Sequence, residues 1–233
     1  MKPSPFKPVE SKTLSESVTD SIRRAIFSGD LQAGQQVNQA QIAEQLGTSR
    51  GPVREALRQL EEEGLIQNVP YKGTFVIDIS PEYIEELYGV RRVLEVFAIR
   101  RASERASRED LDALRATVAQ MRQAAEASDL DLTRELDLWF HHLICQSAHH
   151  SLLLQLWKSK EAGVRLCLAH GHSAYKDPRE IIGTHPDILA ALESRDVEQA
   201  AQLLDQHIKV AGDAIYHSWI ALLREAPDGA DGE

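Results

Sequence analysis

This sequence of 233 residues lacks most features of membrane-spanning, secreted and low-complexity proteins. No run of about 18 apolar residues is present, which excludes a transmembrane helix of ordinary length. Residues 1–12 lack the apolar core of a secretory signal, so we expect no leader. The two cysteines, Cys145 and Cys167, are too few for a disulfide scaffold, and both fall within apolar helical patterns. These absences favour a globular protein of the reducing cytoplasm.

The negative charge is unevenly distributed along the chain. The whole sequence carries 26 Lys and Arg against 36 Asp and Glu, a net charge of −10. Residues 1–78 hold nine basic and ten acidic residues, whereas residues 79–233 hold 17 and 26. Because the first third is nearly neutral, it can present a local basic surface, and the acidic total does not exclude a nucleic-acid partner.

Sequence patterns predict two domains between two loose ends. Residues 1–10, with three prolines, and residues 226–233 predict a flexible arm and a flexible tail. Residues 11–79 predict two helices, a tight turn, a third helix and a β-hairpin. Residues 80–225 predict an all-helical bundle, and its expected helices lie near 81–104, 107–127, 130–147, 151–170, 178–194 and 196–224. The predicted fold class is therefore mostly α.

A helix-turn-helix pattern occupies the middle of the first domain, where a short helix, Gly47 and a longer helix follow one another. On the longer helix Arg50, Arg54 and Arg58 recur every four residues and share one face. Arginine near the start of such a helix can bind guanine or phosphate, and Lys72 at the predicted hairpin tip adds a cation. An ordinary solvated face has the same spacing, so spacing alone leaves both interpretations open.

The residues of this region also resemble a known family. The segment LGTSRGPVREALRQLEEEGLI closely resembles the winged-helix domain of the GntR family of bacterial transcription regulators, and the resemblance covers residues 11–79. It implies that the start of the recognition helix and the tip of the wing contact double-stranded operator DNA. The residues that match these contact positions are Ser49, Arg50, Arg54 and Gly73.

Polar residues occur among the apolar positions of the helical domain. Asp137 and His141 lie four residues apart on one predicted helix, so their side chains face the same way. His185 and His207 lie on the last two predicted helices. A carboxylate and three imidazoles inside a bundle would suit Zn²⁺, Ni²⁺ or Mn²⁺. A helix-surface pair with two unrelated histidines would leave the same pattern.

The helical part resembles a known ligand-binding domain as well. Residues 81–222 resemble the FCD domain of the FadR-like branch of the GntR family. The resemblance is carried by two segments, ELDLWFHHLICQSAHHSLLLQLW and THPDILAALESRDVEQAAQLLDQHI. The predicted number of helices, six, resembles that of the VanR-type subgroup. The resemblance implies a divalent transition metal held by Asp137, His141, His185 and His207. Pro186 would kink a helix interior or mark a first turn, so the position of His185 is the least certain.

Arg91 lies on the first predicted helix of the second domain. Relatives have an arginine at the matching place, and in some it meets an effector carboxylate. Beside an open metal position, Arg91 would bind a small carboxylate. The alternative is a simple ion pair with Glu95, four residues further along the helix.

Together these features predict a homodimeric, effector-responsive transcription regulator, acting as a repressor and not as an enzyme. The competing function is a metalloenzyme that uses an Asp and three His to hold a Lewis-acidic metal. That alternative does not account for the arginines of the helix-turn-helix.

Overall fold

The computed structural model describes residues 12–170, 175 and 177–225, and the chain divides into two compact units between Ile77 and Asp78. The predicted arm and tail, residues 1–10 and 226–233, lie outside the described residues. The first unit combines helices with a small hairpin and the second is helical, so the fold is mostly α, as predicted. No helix within the described part of the chain is both long and apolar enough to cross a membrane.

The first unit is a helix-turn-helix followed by a two-stranded wing. Its elements are α1 Leu14–Ser28, α2 Gln39–Gln45, α3 Arg50–Glu62, β1 Ile66–Val69 and β2 Gly73–Val76. Thr13 begins α1 with a capping box that Glu16 completes. Gly47 has a φ of 62°, and this left-handed conformation allows the tight turn between α2 and α3. The strands pair antiparallel, with Ile66 opposite Val76.

Helices α1 and α3 pack together to form the core of the first unit. The buried side chains of α3 and α1 include Val53, Leu57, Leu60, Ile22 and Ile26. The α3 residues among them are the apolar stripe that helical periodicity predicts. Because this stripe faces inward, the arginines on the other side of α3 are exposed to solvent.

The second unit has seven helices in its described residues, whereas the sequence predicted six. They are α4 Pro81–Arg105, α5 Arg108–Glu126, α6 Leu130–Ser147, α7 Ser151–His170, α8 Pro178–Ile182, α9 His185–Glu193 and α10 Val197–Glu225. The single helix predicted over 178–194 is wrong, because the chain leaves the helix at Gly183 and Thr184. Pro186 lies in the first turn of α9, where a missing N–H costs little. The VanR-type assignment rested on six helices and stays a prediction.

Helix α4 is central to the second unit, since α10, α6 and α7 all pack against it. Trp157 of α7 and Phe140 of α6 are among the largest fully buried side chains. The Tyr88 ring of α4 approaches α10 so closely that a Cβ at Gly212 would lie 2.9 Å from it. Glycine at this position therefore allows α4 and α10 to pack side by side.

Candidate functional site

The start of α3 carries free polar groups on its exposed face. Ser49 caps the helix with an extended backbone, but its hydroxyl makes no capping hydrogen bond. Arg50 and Arg54 are exposed, and neither forms an ion pair with another described residue. Arg58 differs, because its Nη1 lies 2.7 Å from Oε1 of Glu62. The first two arginines are therefore available to an anionic partner, whereas Arg58 belongs to an ordinary surface pair.

The wing tip is braced by a side chain from the loop before α2. Nε2 of Gln36 donates a hydrogen bond of 2.9 Å to the carbonyl oxygen of Lys72. Gly73 has a φ of 116°, and a Cβ there would lie 2.8 Å from the same Nε2. The backbone angle therefore favours glycine, and any larger residue would also displace the Gln36 side chain from its hydrogen bond. The side chains of Lys72 and Tyr71 remain exposed, and Tyr71 is a candidate contact that sequence analysis missed.

The structure brings the four predicted metal ligands together in the second unit. Each of Asp137, His141, His185 and His207 offers one ligand atom, and these atoms all lie within 4.8 Å of one another. Oδ1 of Asp137 is 3.0 Å from Nε2 of His185, and Nε2 of His141 is 3.2 Å from Nε2 of His207. Asp137 and His141 project from one face of α6, His185 is the first residue of α9, and His207 lies on α10. Pro186 therefore does not displace His185.

Hydrogen bonds on the far side of two rings determine which nitrogen faces the cluster. Nδ1 of His141 contacts Oε2 of Glu95, and Nδ1 of His185 contacts the carbonyl oxygen of Ile182. A carboxylate and a carbonyl only accept, so in the neutral rings both Nδ1 atoms carry the proton and both Nε2 atoms present lone pairs. Nδ1 of His207 lies 2.8 Å from the Thr184 hydroxyl oxygen, which can accept in the same way.

These lone pairs fit a bound cation. Nε2 of His185 is fully buried and lacks a hydrogen bond of acceptable geometry, although Oδ1 of Asp137 is close. Two unprotonated nitrogens 3.2 Å apart, on His141 and His207, repel each other unless a proton or a cation lies between them. Three imidazole nitrogens and one carboxylate are a donor set that borderline divalent metals prefer. The residues present therefore fit the group that the FCD resemblance implies.

The electrostatics of the cluster favour the deprotonated forms that bind metal. Burial raises the pKa of Asp137, but the close contact with His185 and the positive charge that His141, His185 or His207 carries when protonated outweigh it and bring this pKa below its usual value. The pKa of His207 lies well below its usual value. Burial is the largest cause, and the neighbouring His185 and His141 rings lower the pKa further. Asp137 and His207 therefore need not lose a proton at neutral pH before a metal binds.

A buried carboxylate connects Arg91 to the cluster. Nε of Arg91 donates to Oε1 of Glu95 over 2.8 Å, and Nε1 of Trp157 donates to the same oxygen over 2.9 Å. The other oxygen of Glu95 contacts His141. Burial raises the pKa of Glu95, but Arg91 and His141 together lower it to about 2. The ion pair that the sequence offered as an alternative for Arg91 is thus present, and it belongs to the site.

A small cavity of about 20 Å³ adjoins the cluster, which is room for about one water molecule. Arg91 lines it together with Asp137 and His207. Tyr88 and Arg134 line the same cavity, and sequence analysis missed both. Arg134 lies three residues before Asp137 on α6, so helical spacing was the available signal. Any effector larger than a water molecule must displace the cavity walls.

Comparison with known proteins agrees with both units. The model of bacterial regulatory proteins of the gntR family matches residues 14–76, and the FCD domain model matches residues 86–210. The chain belongs to the GntR family. Members with an FCD domain regulate transcription rather than catalyse reactions, so this GntR-family protein is a DNA-binding transcription regulator, and the metalloenzyme interpretation is set aside.

Individual relatives of this GntR-family protein are similar along most of its length. A probable D-xylose utilization operon transcriptional repressor from Paenarthrobacter nicotinovorans is 31% identical over 88% of this chain and 90% of its own. The transcriptional repressor RspR of Escherichia coli is 27% identical over 88% of this chain and 90% of its own. Among solved structures, E. coli McbR/YncC has a TM-score of 0.72 at 23% identity, covering 90% of this chain and 100% of its own, which supports the fold.

Proposed function

We propose that this regulator is a homodimeric repressor whose FCD domain binds a divalent transition metal and a small carboxylate effector. Effector binding favours a state with lower affinity for the operator. The single observation that carries the sensor part is the convergence of four ligand atoms within 4.8 Å, from Asp137 and three histidines. Two of the similar proteins named above are repressors, which supports the direction of regulation.

The DNA-binding part of the proposal rests on the exposed face of α3. Arg50 and Arg54 lie in its first two turns, the part of a recognition helix that reaches base edges in the major groove. Each can donate two hydrogen bonds to guanine or bind a phosphate. The Ser49 hydroxyl, which makes no capping hydrogen bond, can donate to a phosphate oxygen. At the wing tip, Lys72 supplies a cation and Gly73 allows the backbone to approach the DNA closely.

In the sensor part, the chain's own groups hold and orient the effector. A divalent transition metal, when bound, supplies an electrophilic position for one carboxylate oxygen. His141 is fixed by Glu95, and His185 by the carbonyl of Ile182, so both rings keep Nε2 toward the cluster. Arg91, held by the same Glu95, lines the cavity and can donate to an effector carboxylate.

The dimer part of the proposal assigns the interface to α4. Val90, Val93 and Phe97 recur on one side of this helix and are exposed, with Val93 at 72%. Spaced by three and four residues, they form an apolar stripe that a second copy can cover around a two-fold axis. An operator with two inverted half-sites requires such a pair of chains.

Metal analysis of untagged protein purified without chelator tests the sensor part. We expect close to one divalent transition metal per chain, with His141→Ala and His207→Ala each losing most of it. His217→Ala is the matched control, because His217 lies on α10 with His207 but its Nδ1 contacts the Asp213 carbonyl oxygen of its own helix and it is not one of the four clustered residues. Wild-type protein that holds no metal, or a control that loses as much metal as His207→Ala, would contradict the assignment.

A further inference from the structure

Buried polar atoms without a hydrogen-bond partner are concentrated around the cavity of the second unit. Six such side-chain atoms occur among the residues that the structure describes. Two of them, the Tyr88 hydroxyl and Nε of Arg134, belong to residues that line the cavity, and a third is Nε2 of His185 in the adjoining cluster. Leaving such groups unpaired is costly, so a ligand that supplies their partners would be stabilised in this cavity.

Arg134 differs from Arg91 in having no buried carboxylate within ion-pair distance among the described residues. Its only ion pair within the described residues is with Asp131, at 3.5 Å, and the side chain of Asp131 is 96% exposed. The side chain of Arg134 itself is only 9% exposed. Arg91, in contrast, is balanced by Glu95, which is fully buried. A buried guanidinium without a buried carboxylate favours an anionic partner.

The charges around the cavity indicate how many negative charges that partner carries. Arg91 and Glu95 cancel each other. Of the remaining groups, Arg134 contributes one positive charge and a divalent metal two, against one negative charge on Asp137. A ligand with two negative charges therefore neutralises the site, whereas a monocarboxylate leaves one positive charge uncompensated.

We propose that the effector is a small diacid, with one acid group beside the metal cluster and Arg91 and the other paired with Arg134, while the Tyr88 hydroxyl donates to one of its oxygens. This inference rests on the proposed function, since it uses the same cavity and metal. Burial raises the pKa of Tyr88, so its hydroxyl keeps its proton and remains a donor at neutral pH.

Calorimetric titration of the metal-loaded full chain tests the proposal. The probes are malonate, succinate, glutarate and adipate, each compared with the monoacid of equal carbon number. We expect at least one diacid to bind about tenfold or more tightly than its monoacid, because a second charged hydrogen-bonding contact is gained. Arg134→Gln should reduce this preference to about threefold or less, because a monoacid then neutralises the site, while the metal content stays unchanged.

Two further variants separate a specific role from a general loss of charge or fold. Arg92→Gln is the control, since Arg92 lies next to Arg91 but pairs with Asp205 outside the cavity, and it should keep the diacid preference. Tyr88→Phe removes a hydroxyl that has no hydrogen-bond partner among the described residues, so the melting temperature should not fall, whereas diacid affinity should drop several-fold.

The outcomes distinguish this inference from the function on which it rests. Metal-loaded wild type that shows no diacid preference, or an Arg134→Gln variant that keeps the full preference, overturns the diacid effector and leaves the metal site standing. Protein that holds no metal but prefers diacids in a manner that depends on Arg134 supports the diacid and overturns the metal part of the proposed function.

Discussion

Replacing Glu95 with glutamine should strongly destabilise the second unit. The substitution keeps the volume of the side chain and an oxygen that accepts from Trp157, but it leaves Arg91 without a counter-charge. The pKa of Glu95 is lowered from 4.5 to about 2, which corresponds to about 3 kcal/mol at 1.36 kcal/mol per pH unit. Breaking a buried ion pair from one side costs about 3–5 kcal/mol in other proteins.

Denaturant unfolding of the metal-free protein at neutral pH measures this cost. We expect a loss of about 3 kcal/mol in the free energy of unfolding, or about 6–12 °C in melting temperature for a unit of this size. Because the pKa of Glu95 is lowered on folding, its contribution is complete above pH 4.5 and is lost as the pH falls through about 2. The difference between wild type and Glu95→Gln should therefore shrink over that interval.

Two further variants make the measurement decisive. Glu198→Gln breaks an exposed pair with Arg100 and should change stability little. Adding Arg91→Gln to Glu95→Gln removes the unpaired charge, so the double variant should be less destabilised than the sum of the single variants. A cost below about 1 kcal/mol for Glu95→Gln, or strictly additive effects, would refute the buried ion pair as the source of stability.

The remaining predictions concern DNA, metal and assembly. Arg50→Ala and Arg54→Ala should each weaken operator binding in a gel-shift assay, by about 1–3 kcal/mol and at one base position if guanine is contacted; full affinity in both would refute the recognition helix. Lys72→Ala should weaken binding on all sequences and reduce its salt dependence, as filter binding at several salt concentrations can show. A chelator should lower the melting temperature of metal-loaded protein; an unchanged melting temperature would contradict metal binding by the folded state. Val93→Glu should shift the chain from dimer to monomer in analytical ultracentrifugation, and residues 1–79 alone should be monomeric; a stable dimer of that fragment would place the interface elsewhere.

Local features of the sequence were sufficient for much of the fold and for part of the site. The apolar spacing on α3 predicted which face is buried, and Gly47 predicted the tight turn, because both depend on residues within a few positions of one another. Asp137 and His141 were predicted to face the same way because four residues are about one helical turn. The exposed start of α3 followed from the same periodicity.

Only the tertiary structure decided how distant residues meet. The apolar residues on both sides of Gly183 suggested one continuous helix, but the chain breaks there and makes His185 the first residue of α9. The nitrogen of His141 that faces the cluster is determined by Glu95, which lies on another helix and 46 positions earlier in the sequence. The buried Arg134 Nε, which lacks a hydrogen-bond partner among the described residues, became visible only when its surroundings were known. Burial, tautomer and missing partners depend on packing between helices, which spacing along one helix does not determine.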